Sequence, residues 1–222
     1  MDHTLVNTGG AGLRALDRAC NKVLSIENAM EGIDPSGKTD PAIVREILFR
    51  NGGSSNLDPH LQSVLEAYLW FLREEVRLSE KYRVLPGIVD ILDQMSARSD
   101  VMLGLATGNM QLGAQVKLER GNLNRYFAFG GFGSDSEHRV ALVRKAAESA
   151  ARECGSPIDP ENVFVIGDTP LDVEAGRTAG YKTVGVATGR YSMDQLLESG
   201  ATFVISDFCE GRDQFLRSTS LR

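Results

Sequence analysis

The sequence contains few of the residues that build disulfide scaffolds or zinc sites. Its 222 residues include three cysteines and three histidines, and both sets are scattered along the chain. They are Cys20, Cys154 and Cys209, and His3, His60 and His138. Cysteines that are odd in number and widely spaced argue against a disulfide framework and favour a reduced, cytoplasmic setting. Histidines that do not cluster argue against a zinc site.

The sequence also lacks an excess of positive charge and a long apolar run. It has 24 Lys and Arg against 30 Asp and Glu, which gives a formal net charge of −6. Binding to nucleic acid or to an anionic membrane needs a basic surface, so both roles are disfavoured. No apolar run reaches the roughly 20 residues of a transmembrane helix. A small anionic substrate is compatible with this composition, because a local site can be positive on an acidic protein.

Helical spacing of apolar residues dominates the chain before residue 86. It predicts helices over 11–23 and 41–50 and a long amphipathic helix over 59–82. Pro41 suits a first helical position, with Asp40 as the cap. The stretch 26–40 is richer in Gly, Asp and Ser and is predicted to be loop or broken helix. We find no convincing strand pattern before residue 100.

From residue 86 onward, short apolar runs alternate with helical segments. This pattern predicts a parallel sheet covered by helices, with ligands beyond the carboxyl ends of its strands. The fold class is therefore α/β: a Rossmann-like core of 1–9 and 86–222 with a helical cap of 10–85 inserted. The predicted strands are 101–106, 126–131, 163–166, 183–187 and 203–205, and the predicted helices are 89–96, 112–119, 141–152, 171–178 and 193–198.

Two carboxylates follow the predicted strand 163–166. They are Asp168 and Asp172 in the segment Gly167-Asp168-Thr169-Pro170-Leu171-Asp172, which precedes a helix. Charges at the rim of an apolar sheet are costly unless they are paired, and Mg²⁺ is a cation that takes oxygen ligands. The segment therefore predicts a magnesium site. The alternative is that Asp168 caps the helix and Asp172 is a solvated acid in its first turn.

Polar residues also follow the predicted strand 101–106. Thr107, Gly108 and Asn109 could bind an anionic oxygen with neutral donors. Thr and Asn are equally common in a turn followed by a helix cap. Two basic residues come later: Arg139 in the loop before the helix 141–152, and Lys145 inside that helix. Either could instead be a solvated surface cation.

Together these motifs resemble those of the haloacid dehalogenase superfamily of aspartate-based phosphotransferases. The resemblance covers nearly the whole chain, and the order and spacing of the motifs make it specific. It is closest to the phosphoglycolate-phosphatase-like branch, in which a helical cap follows the first strand. The matching segments are Asp2-His3-Thr4-Leu5-Val6, Pro86-Gly87 leading into Thr107-Gly108-Asn109, and Gly167-Asp168-Thr169-Pro170-Leu171-Asp172.

The resemblance implies roles for the residues near the start of the chain and after the strand 101–106. Asp2 would be the general acid/base, with its backbone carbonyl on Mg²⁺. Thr107 would bind the transferring phosphoryl group, with Gly108 and Asn109 beside it in the substrate site.

The resemblance also implies roles for four later residues. Asp168 would bind Mg²⁺ directly or through water, and Asp172 would support it. The family places a Lys, usually before Pro, in a register that here falls at 137–139. Arg139 is therefore the expected basic catalytic residue, and Lys145 is the alternative.

The nucleophilic Asp of this family lies two residues before the acid/base Asp. With Asp2 in the acid/base position, the nucleophile and its apolar strand would precede Met1. That strand would bury about five apolar side chains, each of which contributes about 1.5–3 kcal/mol to stability. Their sum, roughly 10 kcal/mol, is comparable to the whole free energy of unfolding of a domain, which is about 5–15 kcal/mol. We therefore expect the sequence to start too late, with Met1 an internal methionine. The alternative is a catalytically inactive relative.

The implied parent function is magnesium-dependent hydrolysis of a small phosphate monoester through an aspartyl-phosphate. Lys38, in the turn Gly37-Lys38-Thr39-Asp40 of the cap, is expected to contact the substrate, and an exposed turn is the alternative. The other functions left open are a phosphomutase, a carbon–halogen hydrolase and a non-catalytic phosphate-binding relative. The two acids at 168 and 172 disfavour the carbon–halogen hydrolase. We expect a monomer or homodimer with a small phosphorylated metabolite as its ligand.

Overall fold

The computed structural model describes residues 1–52 and 59–219. Short parallel strands alternate with helices from residue 104 onward, which confirms the predicted α/β class. The strands are β1 Val6–Asn7, β2 Arg83–Val84, β3 Gly104–Thr107, β4 Phe129–Phe132, β5 Phe164–Gly167, β6 Lys182–Val186 and β7 Phe203–Ile205. The helices are α1 Ala11–Leu24, α2 Asp40–Arg50, α3 His60–Leu78, α4 Ile88–Ser96, α5 Gln111–Glu119, α6 Arg139–Cys154, α7 Pro170–Ala179, α8 Met193–Glu198 and α9 Arg212–Ser218.

The parallel strands fall into two groups. Strand β3 pairs with β4, and β5, β6 and β7 pair in that order. In the described part of the chain, β3 and β5 do not pair with each other. A cavity of about 680 Å³ is lined by both of them and by apolar side chains of the surrounding helices. The lining residues include Leu105 of β3 and Ile166 of β5, and Ile91, Leu142 and Phe215 of the helices.

Helices α1, α2 and α3 form a unit with a hydrophobic core of its own, which we call the helical unit. Helix α1 packs along α3, and Leu16, Ile47 and Leu72 are buried between the three helices. A second core lies under the strands and contains residues such as Leu118 and Ile205. The helical unit also contacts α5, the helix that follows the carboxyl end of β3. It therefore lies at the carboxyl ends of the strands.

The prediction that the first hundred residues contain no strand was wrong. β1 and β2 form an antiparallel pair that connects the two ends of the helical unit to the rest of the molecule. Each is two residues long and carries a polar residue, Asn7 in β1 and Arg83 in β2. Strands this short leave no alternating pattern in the sequence.

Several predicted boundaries shift. Strand β3 begins at Gly104 rather than at residue 101, and Val101 and Leu103 pack against the core from the loop before it. Arg139 is the first residue of α6 rather than a loop residue, and helix α9 was not predicted. Among the helices of the described residues, none combines the length and apolar character that crossing a membrane requires.

Candidate active site

A polar cavity of about 220 Å³ lies between the helical unit and the carboxyl ends of β3 and β5. This is the position at which parallel α/β sheets bind ligands. Its walls come from both parts of the chain. The core contributes Asp2, Thr107, Asn109, Lys117, Arg139, Asp168 and Asp172, and the helical unit contributes residues that include Gly12, Lys38, Asp40 and Tyr68.

The turn after β3 forms one wall of this cavity. The Thr107 hydroxyl accepts hydrogen bonds from the Asn109 backbone N–H at 3.2 Å and from its side-chain amide at 2.8 Å. Both residues are buried. Gly108 lies so close to the helical unit that a Cβ atom there would be 2.4 Å from the Lys38 carbonyl oxygen. The turn is therefore held between the core and the helical unit.

Asp2 and Lys117 form an ion pair at the bottom of the cavity. The Lys117 ammonium lies 3.1 Å from Oδ1 and 2.9 Å from Oδ2 of Asp2, and the Asn109 amide donates to Oδ2 at 2.9 Å. Burial alone would raise the pKa of Asp2, but the Lys117 ammonium outweighs it and the pKa is lowered. Asp2 is therefore an ionised carboxylate.

The turn after β5 contains the two predicted metal carboxylates. Thr169 and Asp172 form a capping box at the start of α7, in which the Thr169 side chain accepts from the Asp172 N–H and the Asp172 carboxylate accepts from the Thr169 N–H. Arg139 donates to the other oxygen of Asp172. Burial acts to raise the pKa of Asp172, and the Arg139 guanidinium lowers it below its usual range. Asp172 is an acid in the first turn of α7, as in the alternative interpretation, but it is largely buried and paired rather than solvated, and Thr169 rather than Asp168 caps the helix.

Asp168 is buried without a basic side chain as a hydrogen-bond partner among the described residues. Its Oδ1 accepts from the Thr4 hydroxyl at 2.9 Å, and its Oδ2 faces Gly189, where a Cβ atom would lie 2.3 Å away. Burial raises the pKa of Asp168, and the nearby Asp172 carboxylate adds to that rise. A carboxylate in this state is suited to a cation.

The fit to magnesium therefore rests on Asp168. Within the described residues there is no cluster of three or more His, Cys, Asp and Glu side chains that could bind a metal ion. Both oxygens of Asp172 already accept hydrogen bonds, and the carboxylate of Asp2 is held by Lys117. Mg²⁺ commonly takes one or two protein carboxylates and keeps several waters, so a site with a single free carboxylate fits it.

The structure brings most of the predicted site residues together and separates one of them. Arg139 lines the cavity, and Lys145 instead pairs with Asp135 at 2.5 Å in an exposed position. Lys38 also lines the cavity, and its ammonium lies 2.5 Å from Glu46 of α2.

Sequence reasoning missed Lys117, which is the most deeply buried basic side chain of the site at 6% exposure. It lies on the inner face of α5 with Gly113, Ala114 and Leu118. A lysine at helical spacing within a stripe of small and apolar residues was the available signal, because Lys is rarely buried unless it is paired.

Asp40 belongs to the turn that was expected to face the site, but the sequence predicted for it only the role of a helix cap. The Asp40 N–H donates to the Gly108 carbonyl at 2.8 Å, and its carboxylate accepts from the Met110 N–H at 2.8 Å. Asp40 also hydrogen-bonds with Tyr68 of α3. Burial raises the pKa of Asp40 to about 6, against the opposing effect of Lys117. Thr39, rather than Asp40, caps helix α2.

Comparisons with known proteins identify the fold that carries this cavity. Residues 140–211, which contain Asp168 and Asp172, match the family described as HAD-hydrolase-like. The chain has the haloacid dehalogenase-like fold. A hydrolase from Pseudomonas syringae superposes with a TM-score of 0.70 at 20% identity, over 97% of this chain and 95% of that one. These observations confirm the fold that the resemblance to this superfamily implies.

Two further solved structures with this fold carry more specific descriptions. A predicted phosphoglycolate phosphatase from Haemophilus somnus has a TM-score of 0.69 at 17% identity, over 97% of this chain and 95% of that one. A putative beta-phosphoglucomutase from Thermotoga maritima has a TM-score of 0.62 at 21% identity, over 98% and 96%. The search of curated proteins found no match. At these identities the likeness defines the fold alone.

Proposed function

We propose that this protein is a phosphoric monoester hydrolase that acts on a small phosphorylated metabolite. The observation that carries the proposal is the 220 Å³ cavity at the carboxyl ends of the strands. Its walls include the basic side chains of Lys38, Lys117 and Arg139, the Thr107 hydroxyl and the carboxylates of Asp2 and Asp168. Its size suits a small molecule, and its mixed charges suit a phosphate with a metal ion.

Arg139 supports binding of a phosphate group. Its Nε is buried and has no hydrogen-bond partner within the described residues, although the guanidinium also donates to Asp172. An unsatisfied buried N–H costs about 1–3 kcal/mol, and a phosphate oxygen would satisfy it. Arg presents several N–H groups in a fixed geometry, so one guanidinium can hold Asp172 and a phosphate at the same time.

Asp168 would hold Mg²⁺, and water and substrate oxygens would fill the remaining positions. When bound, Mg²⁺ would offset the repulsion between the phosphate and the carboxylates of the site. Thr4 orients Asp168 by donating to Oδ1 at 2.9 Å. Asp172 would support the site indirectly, by fixing the first turn of α7 and the position of Arg139.

Asp2 would transfer protons in this reaction. In the expected mechanism an Asp attacks phosphorus, the leaving oxygen is protonated, and water then cleaves the aspartyl-phosphate. In the motif of the family that nucleophile lies two residues before the acid/base Asp, whose position Asp2 occupies here. Thr107 and Asn109 would orient the phosphoryl group beside Asp2, since the Asn109 amide donates both to the Thr107 hydroxyl and to the Asp2 carboxylate.

The helical unit would serve as the cap of this site. We assign 10–85 to the cap and 1–9 with 86–222 to the core. The contacts of Asp40 with Gly108 and Met110 support this assignment, because they hold the helical unit over the cavity. A closed cap excludes water and strengthens the electrostatic interactions within the site.

We also infer a cytoplasmic protein that acts as a monomer or homodimer and binds neither nucleic acid nor membrane. Cys20, Cys154 and Cys209 are free cysteines, as is usual in a reduced compartment. The formal net charge of −6 supports the exclusion of polyanionic partners.

Hydrolysis of p-nitrophenyl phosphate and a panel of small phosphate esters, with and without Mg²⁺, tests the proposed function. The assay compares the 222-residue chain with a version extended through its upstream genomic codons. We expect little turnover from the former and magnesium-dependent turnover from the latter. Asp168→Asn should abolish that turnover, and the matched control Asp194→Asn, in the first turn of α8, should not. An extended chain that is inactive on every ester would contradict the proposal.

A further inference from the structure

The Lys117 ammonium has a complete set of acceptors in the core. Each of its three hydrogen-bonding partners is a side-chain oxygen: Asp2 Oδ1 at 3.1 Å, Asp2 Oδ2 at 2.9 Å and Asn109 Oδ1 at 2.5 Å. An ammonium has three donors, so this geometry uses all of them. Its side chain is 6% exposed, so little of its charge is solvated.

Lys117 determines how the Asn109 amide is oriented. Because Asn109 Oδ1 accepts from the ammonium, its Nδ2 faces the other way and donates to Asp2 Oδ2 at 2.9 Å and Thr107 Oγ1 at 2.8 Å. A reversed amide would place NH₂ against an ammonium. The orientation of one lysine therefore fixes three polar side chains around the cavity.

The helical unit leaves space for this ammonium. A Cβ atom on Gly12 of α1 would lie 3.4 Å from Lys117 Nζ and 3.9 Å from the Tyr68 hydroxyl. Lys117 is thus enclosed by the core below and by α1 and α3 above. Solvent and salt screen an enclosed ion pair less than one at the surface, so the positive charge of Lys117 acts strongly on the Asp2 carboxylate.

We propose that Lys117 is the positioning residue for Asp2, and that it holds the Asp2 carboxylate as a proton acceptor for the water that attacks the phosphorylated enzyme. The inference rests on the proposed function. In that step the water oxygen bonds to phosphorus, its proton passes to Asp2, and the bond between phosphorus and the nucleophile's carboxylate breaks. Lys117 acts through Asp2 and Asn109, since both oxygens of Asp2 accept hydrogen bonds from the ammonium.

The first measurement needs no catalytic activity. In the 222-residue chain, the side-chain amide protons of Asn109 should be protected from hydrogen exchange in NMR spectra. Lys117→Met should remove that protection, and Lys117→Arg should restore part of it. Lys117→Gln, which keeps a polar side chain, is measured in the same way if the Met variant does not fold by circular dichroism. Unchanged protection in a folded neutral variant would overturn the inference.

The second measurement is steady-state and burst kinetics of the extended chain with p-nitrophenyl phosphate, whose leaving group needs little protonation. Positioned general bases contribute about 10²–10⁴-fold. Lys117→Met should therefore lower kcat by about 100-fold or more and lower KM in parallel, so that kcat/KM stays within about 3-fold of the wild-type value. Slow cleavage of the phosphorylated enzyme should also produce a burst of p-nitrophenolate. Lys182→Met is the matched control, because Lys182 also pairs with a carboxylate, Glu161 at 3.1 Å, at the amino end of β6.

The two failures are distinguishable. If Lys117→Met lowers kcat/KM as much as kcat and shows no burst, the positioning role of Lys117 is overturned, but the proposed phosphatase function still holds. An extended wild-type chain without activity would contradict the proposed function, and the exchange of the Asn109 amide alone would then decide whether Lys117 orients this cluster.

Discussion

The Asp40 carboxylate accepts a hydrogen bond of 2.8 Å from the Met110 backbone N–H, and this bond joins the helical unit to the core. Asp40 begins α2, and Met110 immediately precedes α5. The bond therefore runs from one side of the cavity to the other. Because the Asp40 carboxylate is buried at this contact, its ionisation affects how stably the helical unit packs on the core.

Asp40→Asn is expected to stabilise the protein at neutral pH. Burial raises the pKa of Asp40 to about 6, from about 3.9 in an unfolded chain. Between those values the folded state binds more protons than the unfolded state, so the free energy of unfolding falls as pH rises. The penalty is complete above about pH 7 and amounts to about 2–3 kcal/mol. Asn avoids it and still offers an oxygen to Met110.

Urea unfolding of both proteins at pH 4 and pH 7.5 measures this effect. The free energies of unfolding should be similar at pH 4, where Asp40 is mostly protonated in the folded state. At pH 7.5 the Asn variant should be the more stable. A variant that is destabilised equally at both values would contradict the prediction.

Gly108→Ala is expected to destabilise the contact between the helical unit and the core. Its Cβ atom would lie 2.4 Å from the Lys38 carbonyl oxygen and 2.9 Å from Thr39 Cα, so backbone would have to move. Overpacking of this kind costs about 1–3 kcal/mol. The control is Gly113→Ala within α5, whose Cβ atom would be 3.4 Å from Leu69 and Leu72. That change should be near neutral in thermal unfolding, and equal losses for both variants would argue against the close contact.

The sequence was sufficient to predict the described helices other than α9, the strands from residue 104 onward and the carboxylates that follow β5. The periodicity of apolar residues carries that information, and it is local. The pairing of Arg139 with Asp172 was not predicted, because these residues are 33 positions apart and their contact depends on how α6 and α7 pack. Lys117 was missed for the same reason: its partner Asp2 is 115 positions away.

Asp172 is a largely buried member of a capping box at the start of α7. The sequence offered a metal ligand or a first-turn acid. The structure makes it a capping acid whose partners are Thr169 and Arg139. A capping box is a local pattern and could have been predicted from Thr169 and Asp172 alone, whereas the buried guanidinium beside it could not.

Asp168→Asn is expected to abolish stabilisation by magnesium. In the wild-type protein, Mg²⁺ should raise the melting temperature by mass action, since a ligand at about 100 times its Kd adds about 2.7 kcal/mol to the native state. Without Mg²⁺ the Asn variant should be at least as stable as the wild type, because burial raises the pKa of Asp168 and penalises its charge. Asp172→Asn should instead be destabilised without metal, since it weakens the pairing with Arg139. Equal magnesium shifts in wild type and Asp168→Asn, measured by scanning calorimetry, would rule out this ligand.

A designed apolar strand joined to the N-terminus should fill the 680 Å³ cavity between β3 and β5. Its backbone would pair with two parallel edges, and its side chains would contact residues such as Leu105 and Ile166. Five buried apolar side chains, at about 1.5–3 kcal/mol each, would contribute roughly 10 kcal/mol. A control extension in which every apolar residue is Ser should give little increase in the free energy of unfolding. Similar stability of the two extended proteins would contradict the prediction.

Lys38→Ala is expected to change the ranking of substrates without changing the fold. Lys38 lines the cavity, and its ammonium lies 2.5 Å from Glu46, so it is held at the rim of the substrate site rather than freely solvated. The preceding Gly37 has a φ of +69° and packs against Leu171 of α7, where a Cβ atom would be 2.5 Å from the Leu171 side chain. This close approach fixes the turn that presents Lys38.

If Lys38 contacts the leaving group, Lys38→Ala should lower kcat/KM more for esters with an anionic leaving group than for esters with a neutral one. The difference should be about tenfold or more, because specificity is differential binding of the transition state. Glu46→Gln is the matched control. It removes the partner of Lys38 and keeps the ammonium, so the preference for anionic leaving groups should persist or increase. The measurement is kcat/KM across a panel of phosphate esters with the extended chain, and circular dichroism confirms folding. If Lys38→Ala leaves both the ranking and the rates unchanged, Lys38 does not contact the substrate and its only role is the ion pair with Glu46.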